Sequence, residues 1–144
     1  MKEIKTVNNV EQLIHCSEVI QSLRPHLTTE RILEYYSTMK YQKFQIIYLE
    51  EDGKPVAYAG FRYITHFFSG NIIYVDDLGT LQEYRRKGNA GILLDHIIGL
   101  AKEKDLYGVQ LDSAHYRYEA HRFYLNRGFK INSYHFNLLL KEVK

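Results

Sequence analysis

The sequence predicts a mixed α/β (α+β) fold, and three patterns carry that prediction. Two apolar runs, Phe44 to Leu49 and Val56 to Ile64, flank Glu51-Asp52-Gly53-Lys54, where Asp-Gly favours a tight hairpin turn. A helical pattern from Gly88 to Lys104 then lies between two strand patterns, Asn71 to Leu81 and Gly108 to Leu111. The length of 144 residues suits one hydrophobic core. Hairpins followed by a βαβ crossover give a mixed sheet with helices packed on its faces, here as a single domain over residues 1–144.

Taken in order, Glu3 to Val7 forms a short strand. Asn8 or Asn9 caps a helix in which Val10, Leu13, Ile14 and Val19 make one apolar stripe. Pro25 disfavours helical geometry in the residue before it, so this helix stops near Leu23. Thr28 or Thr29 caps a second helix, Glu30 to about Lys40. After the hairpin, a loop carrying Phe67, Phe68 and Gly70 leads into the strand Asn71 to Leu81. Leu93, Leu94, Ile97, Ile98 and Ala101 provide the apolar face of the following helix. Beyond Gly108 to Leu111, a helix over Tyr116 to Arg127 ends in a glycine cap at Gly128, and Ile131 to Leu140 reads as a last strand.

Composition excludes several function classes. The net charge of +2 is small, and Lys and Arg are spread along the chain, so neither nucleic acid nor a membrane surface is expected as a partner. Cys16 is the only cysteine, which rules out an intrachain disulfide or a multi-cysteine metal site and leaves it to packing. His115 and His121 lack the i, i+4 spacing of a helical metal pair, so no metal is implied. Met1-Lys2-Glu3-Ile4 opens no apolar run of signal-peptide length, and no stretch approaches the ~20 apolar residues that cross a bilayer. A soluble cytoplasmic protein is the expectation.

The chemistry concentrates in Asp76-Asp77-Leu78-Gly79-Thr80-Leu81-Gln82-Glu83-Tyr84-Arg85-Arg86-Lys87-Gly88-Asn89-Ala90-Gly91. A strand ends on two carboxylates, a basic loop follows, and a helix opens at a glycine. The first turn of a helix has unpaired N–H groups and the positive end of the dipole, and so attracts an anion. Gly88 and Gly91 remove side chains where a phosphate must approach the backbone, while Arg85, Arg86 and Lys87 add positive charge. On these residues alone, a pyrophosphate cradle and a plain loop both remain open. About 30 residues on, Leu111-Asp112-Ser113-Ala114-His115-Tyr116-Arg117-Tyr118-Glu119-Ala120-His121-Arg122-Phe123-Tyr124 takes a strand through a polar turn into a helix closed by Gly128-Phe129. Ala120, Phe123, Tyr124 and Arg127 read there as a packed helical stripe.

Over nearly its full length the chain resembles the GNAT superfamily of N-acetyltransferases. Arg85-Arg86-Lys87-Gly88-Asn89-Ala90 is similar to that family's Arg/Gln-x-x-Gly-x-Gly/Ala pyrophosphate loop. Ala120-His121-Arg122-Phe123-Tyr124 with Gly128-Phe129 is similar to its second signature. The resemblance implies a mostly antiparallel, twisted sheet of about six or seven strands, splayed between the fourth and fifth, with about four helices. It implies acetyl-CoA as co-substrate and transfer of an acetyl group to a primary amine in a ternary complex. A non-catalytic acyl-CoA-binding or sensor module with the same fold is the alternative.

Carried over residue by residue, the resemblance makes Ile72 to Leu81 the bulged strand, with Gly79 a site for the irregularity. The Leu78 N–H would then hold the oxyanion, with Gly79 and Thr80 lining the pantetheine arm through their main chains. Arg85, Arg86, Lys87, Gly88, Asn89, Ala90 and Gly91 would bind the pyrophosphate. Ser113, His121 and Phe123 would contact the cofactor. Tyr124 takes the general-acid position; a thiol near pKa ~8.5 and a tyrosine near ~10 make proton donation modestly uphill. Asp76 is assigned as base or as the holder of the substrate cation, and Asp77 to structure. Adjacent strand residues point to opposite faces, so only one of the two enters a given pocket. Two departures stand out: Arg117 replaces the helix-opening asparagine, and Asp76 replaces the more usual glutamate.

The acceptor side is assigned to Arg24, His26, Tyr35, Tyr36, Phe67 and Phe68, together with Asp76. That mix suits a small-molecule amine with an aromatic or apolar body, or a peptide or protein amine. Dimerisation is common in such folds, so a homodimer is an expectation that the residues themselves do not decide.

Overall fold

A computed structural model of the chain describes residues 1–142. It divides into two compact units, Met1–Gln110 and Leu111–Lys144. The first carries the sheet, in the order β1 (Lys2–Thr6), β2 (Phe44–Glu51), β3 (Lys54–His66), β4 (Gly70–Thr80) and β5 (Gly108–Leu111, whose last residue opens the second unit). Neighbours from β1 to β4 are antiparallel, and β5 runs parallel to β4. The mixed α/β architecture expected from the sequence is the one observed.

Local chemistry explains the elements. The Asn9 side chain accepts from the Gln12 N–H at 2.8 Å and starts α1 (Val10–His15). The single helix expected here breaks at Cys16, whose N–H is shared between the Gln12 and Leu13 carbonyls, both at 3.1 Å. That shared bond tightens the turn before α2 (Ser17–Leu23), which ends two residues before Pro25. Thr28 caps α3 (Thr29–Met39) by accepting from the Arg31 N–H at 3.1 Å. In the β2–β3 turn Asp52 and Gly53 both have positive φ, 51° and 82°, the geometry for which Asp-Gly is suited.

The sheet is covered on both faces. Leu13, Cys16, Val19, Ile20 and Ile32 from α1 to α3 pack with Phe44, Ile46, Tyr48 and Tyr58 in one buried cluster. Burial pushes the Cys16 thiol up to about 12, leaving it an inert packing group. On the other face, Leu93, Leu94 and Ile97 of α4 (Asn89–Glu103), all fully buried, lie over β2, β3 and β4.

One irregularity matters for function. Gly60 pairs with Asp77 and Phe61 with Val75, so Asp76 is an extra residue bulged out of the β3–β4 ladder. The expected irregularity at Gly79 does not occur; Gly79 pairs regularly with Tyr58. Its missing side chain makes room for α2 instead, since an added Cβ would lie 3.0 Å from the Leu23 Cβ.

The second unit contains α5 (Tyr118–Asn126). It ends as expected at Gly128, with φ 91°. The Phe129 N–H bonds the Tyr124 carbonyl at 3.2 Å and the Gly128 N–H the Leu125 carbonyl at 3.0 Å, the paired bonds of a Schellman cap. The strand expected over Ile131 to Leu140 is absent, so the described residues hold five strands rather than six or seven. Alternating apolar residues define two faces, but a strand also needs a backbone partner. Phe136 and Leu138 remain exposed, at 92% and 85%.

Leu13 is completely buried under the sheet. Leu13→Ala is expected to cost about 2–5 kcal/mol in urea unfolding followed by circular dichroism.

Candidate active site

The bulge brings Asp76 and Asp77 to the same face of the sheet. Tyr58, Gly60 and Arg62 alternate along one face of β3. The Tyr58 hydroxyl donates to Asp77 Oδ2 at 2.8 Å, and Arg62 Nε donates to Asp76 Oδ1 at 3.1 Å. Both carboxylates therefore share the face covered by α1 to α3, and the strict alternation expected of adjacent strand residues is suspended there. Arg24, at the end of α2, donates from Nε and Nη2 to Asp77 Oδ1 and from Nη2 to the Asp76 carbonyl. Burial pushes the Asp76 carboxyl above the usual carboxylate range, and Arg62 pulls it part of the way back. Burial and the facing Asp77 raise the Tyr58 hydroxyl far above an ordinary tyrosine, so it is a permanent donor.

Beyond the bulge, β4 presents an open backbone edge. The Leu81 N–H donates to the Val56 carbonyl at 2.9 Å, which makes these two a hydrogen-bonded pair. Antiparallel pairs alternate, so Gly79–Tyr58 is bonded while Thr80–Ala57 and Leu78–Ala59 are not. The main chains of Leu78 and Thr80 thus point away from β3. Consistent with this, the Thr80 carbonyl accepts from Arg85 Nε at 3.1 Å and from Ser22 Oγ at 3.4 Å. The parallel strand β5 has only four residues and starts beside Asn71, whose carbonyl accepts from the Tyr107 N–H at 2.9 Å. It therefore runs alongside the opening half of β4 and leaves the Leu78 N–H without a strand partner among the described residues.

The loop after β4 delivers a helix start stripped of side-chain caps. Gly88, at φ 81°, is the residue before α4, and no side chain caps the first turn. Nothing lies within 4 Å of the position a Gly88 Cβ would take. Arg86 also has positive φ, 63°, and Lys87 lies over the Tyr84 ring. The side chain of Asn89 is committed to the protein. It is buried, donates to the Tyr84 carbonyl at 3.0 Å and accepts from Lys2 Nζ at 2.8 Å. Asn89, Ala90 and Gly91 therefore open the helix with backbone N–H groups that have no partner within it.

Within the second unit, Tyr124 is held by its neighbours. Its ring lies 5.3 Å from that of Phe123 and 5.8 Å from that of Phe129, centroid to centroid. Burial raises its hydroxyl above the ordinary tyrosine range, with Arg117 pulling the other way, so it stays protonated at neutral pH. His121 Nε2 bonds the Ala114 carbonyl at 2.8 Å. Ser113 Oγ is buried with no hydrogen-bond partner, an unpaired polar atom of the kind a ligand amide satisfies.

The residues assigned to the acceptor divide into two groups. Arg24 reaches both strand aspartates, as described. Tyr36 packs partly against the α1–α3 core, Tyr35 is 47% exposed beneath Arg31, and His26 is exposed in the α2–α3 turn. Phe67 and Phe68 are wholly exposed at the tip of the β3–β4 hairpin. Six strand steps separate Gly70 from Asp76, which puts that tip roughly 20 Å from the carboxylates. Sequence reasoning missed Tyr58 and Arg62; the available signal was an arginine within an otherwise apolar strand.

Residues 10–129 match the family model described as the acetyltransferase (GNAT) family. An uncharacterized N-acetyltransferase of Bacillus subtilis, YhdJ, is 28% identical over 138 residues, covering 94% of this chain and 97% of its own. Among solved structures, the chain is similar to the aminoglycoside N-acetyltransferase AAC(6')-Iy in complex with CoA, with a TM-score of 0.82 at 14% identity, covering 96% of this chain and 94% of that one. It is also similar to the ribosomal-protein-alanine N-acetyltransferase of Brucella melitensis, with a TM-score of 0.80 at 13% identity over 97% of this chain and 100% of that one.

Two predictions follow from the carboxylate pair. Tyr58→Phe removes a donor from partly buried Asp77 and is expected to cost about 1–2 kcal/mol by urea unfolding. Because Arg62 holds the Asp76 pKa down against burial, Arg62→Gln should raise it further. Carboxyl-carbon NMR titration would show the Asp76 transition moving to higher pH.

Proposed function

Because the chain belongs to the acetyltransferase (GNAT) family, we propose that it is an acetyl-CoA-dependent N-acetyltransferase acting on a primary amine of a small molecule or peptide. The observation that carries this reading is the outward-facing Leu78 N–H on the open edge of β4, followed closely by the uncapped start of α4. Acetyl-CoA, as co-substrate, would supply a thioester whose acyl carbon the amine attacks, forming the C–N bond as the C–S bond breaks. The relatives support the class of reaction, and a CoA complex among the structural neighbours supports the co-substrate.

The chain's own groups divide the work. The backbone N–H groups of Asn89, Ala90 and Gly91, with Arg85, Arg86 and Lys87 around them, would hold the pyrophosphate. The main chains of Leu78 and Thr80 would pair with the amide-bearing arm as an added strand does, and Ser113 Oγ would gain the partner it lacks. The Leu78 N–H would stabilise the oxygen that gains charge during attack. An alkyl amine with pKa ~10.4 costs roughly 4–5 kcal/mol to deprotonate at neutral pH. Asp76, a stronger base than an exposed aspartate because burial raises its pKa, would take that proton directly or through water. The Tyr124 hydroxyl would protonate the departing thiolate and regain its proton from solvent. The two compact units are proposed to act as one catalytic domain over residues 1–144.

Calorimetry with acetyl-CoA and thiol release against a panel of amines test this reading. Tyr124→Phe should lower kcat by about 10²-fold or more while leaving acetyl-CoA affinity unchanged. Replacing Lys87 with Gln should weaken acetyl-CoA binding by about tenfold and flatten its dependence on salt. Absence of acetyl-CoA binding would overturn the proposal, and binding without turnover of any amine would favour a non-catalytic acyl-CoA module.

A further inference from the structure

Arg62 and Asp76 each engage the other with one end and keep the other end open. Arg62 Nε donates to Asp76 Oδ1 at 3.1 Å, and its guanidinium lies 5.5 Å from the centre of the Tyr74 ring. Neither terminal amino group of Arg62, nor Asp76 Oδ2, has a partner among the described residues. The neighbouring pair is closed by comparison: Arg24 reaches Asp77 Oδ1 through two nitrogens and the Asp76 carbonyl as well, while the Tyr58 hydroxyl occupies Asp77 Oδ2. The Arg62 and Asp76 side chains keep 31% and 19% exposure, so their open ends can be reached from solvent.

We propose that the acceptor is an α-amino acid, or a closely similar amine bearing a carboxylate, with its nitrogen held at Asp76 Oδ2 and its carboxylate taken by the terminal amino groups of Arg62. This rests on the acetyltransferase reading of the same site and narrows its substrate class. In an α-amino acid a single carbon separates the amine from the carboxylate, and the protein offers a carboxylate and a guanidinium already in contact. A simple cationic amine at Asp76 would add a second positive charge to a carboxylate already paired with Arg62, leaving that end of the site with a net positive charge. The four charges here, Asp76, Asp77, Arg24 and Arg62, sum to zero, so the site selects by the placement of charge rather than by its sign. Arg62 is held at Nε and backed by an aromatic ring. Much of its rotamer freedom is therefore lost before a ligand arrives, and a bidentate bond to a carboxylate costs correspondingly less entropy.

The test compares thiol release from acetyl-CoA with α-amino acids, with their decarboxylated amines and with their α-amides, at a pH where Asp76 is ionised. Amino acids are expected to show kcat/KM at least about tenfold above the decarboxylated amines. Arg62→Gln should abolish that preference through KM, and Arg62→Lys should restore part of it. Equal use of amines and amino acids, or a preference that survives in R62Q, overturns the inference while leaving the acetyltransferase reading intact. Release from none of the compounds also overturns it, and acetyl-CoA calorimetry run in parallel then shows whether the broader reading falls as well.

Discussion

A single extra residue in β4 sets the geometry on which the rest of the site depends. In a regular antiparallel ladder, Asp76 and Asp77 would project from opposite faces, one of them against the apolar residues of α4. The bulge opposite Gly60 and Phe61 places both on the α1–α3 face, where Tyr58, Arg24 and Arg62 meet them. Gly60 makes this possible from the other strand: the Phe44 ring lies where its side chain would be, 2.5 Å from the position of an added Cβ. Backbone irregularity, a missing side chain and a partly buried charge cluster thus meet in one arrangement.

The cluster also separates structure from chemistry. Asp77 gains two bonds from Arg24 and one from Tyr58, which anchors the end of α2 to the centre of β4. A carboxylate that is this well paired has little capacity left to accept a proton or bind a ligand. Asp76 has one charged partner and one open oxygen, and burial favours its neutral form. Two identical side chains next to each other in sequence thus acquire different environments from their partners alone. This is how a pair of carboxylates is differentiated without any change in residue type.

Much of this was legible in the sequence, for identifiable reasons. The caps at Asn9 and Thr28, the Asp52-Gly53 turn and the Gly128 stop are local, each decided by a side chain or a φ value within a few residues. The helix start after the loop from Arg85 to Gly88 was legible because a glycine that takes positive φ there is a local feature of the sequence. The bulge was not, because its position depends on register against β3, which no residue of β4 states. Gly79 carried the usual signal for an irregularity, yet its missing side chain serves packing against Leu23. The segment Ile131 to Leu140 shows the same limit: alternation was present, but pairing is a property of two segments. Arg62 went unrecognised because an arginine in a strand is ordinarily a solvated edge residue, and only its bond to Asp76 distinguishes it.

The proposed division of labour follows from what each contact is made of. On the proposed co-substrate side many of the groups offered are main-chain ones, the edge of β4 at Leu78 and Thr80 and the first turn of α4, with the side chains of Arg85, Arg86 and Lys87 beside them. Main-chain donors survive substitution so long as the backbone path is kept, and the path requires only a few residues, Gly88 chief among them because of its positive φ. On the acceptor side the groups are side chains, Asp76 and Arg62. These can change without disturbing the ladder that positions them, since a strand residue's side chain is not part of its backbone pairing. A fold shared at 13% and 14% identity is in keeping with such an arrangement, because backbone pairing tolerates wide change in the side chains that one face of β3 and β4 carries.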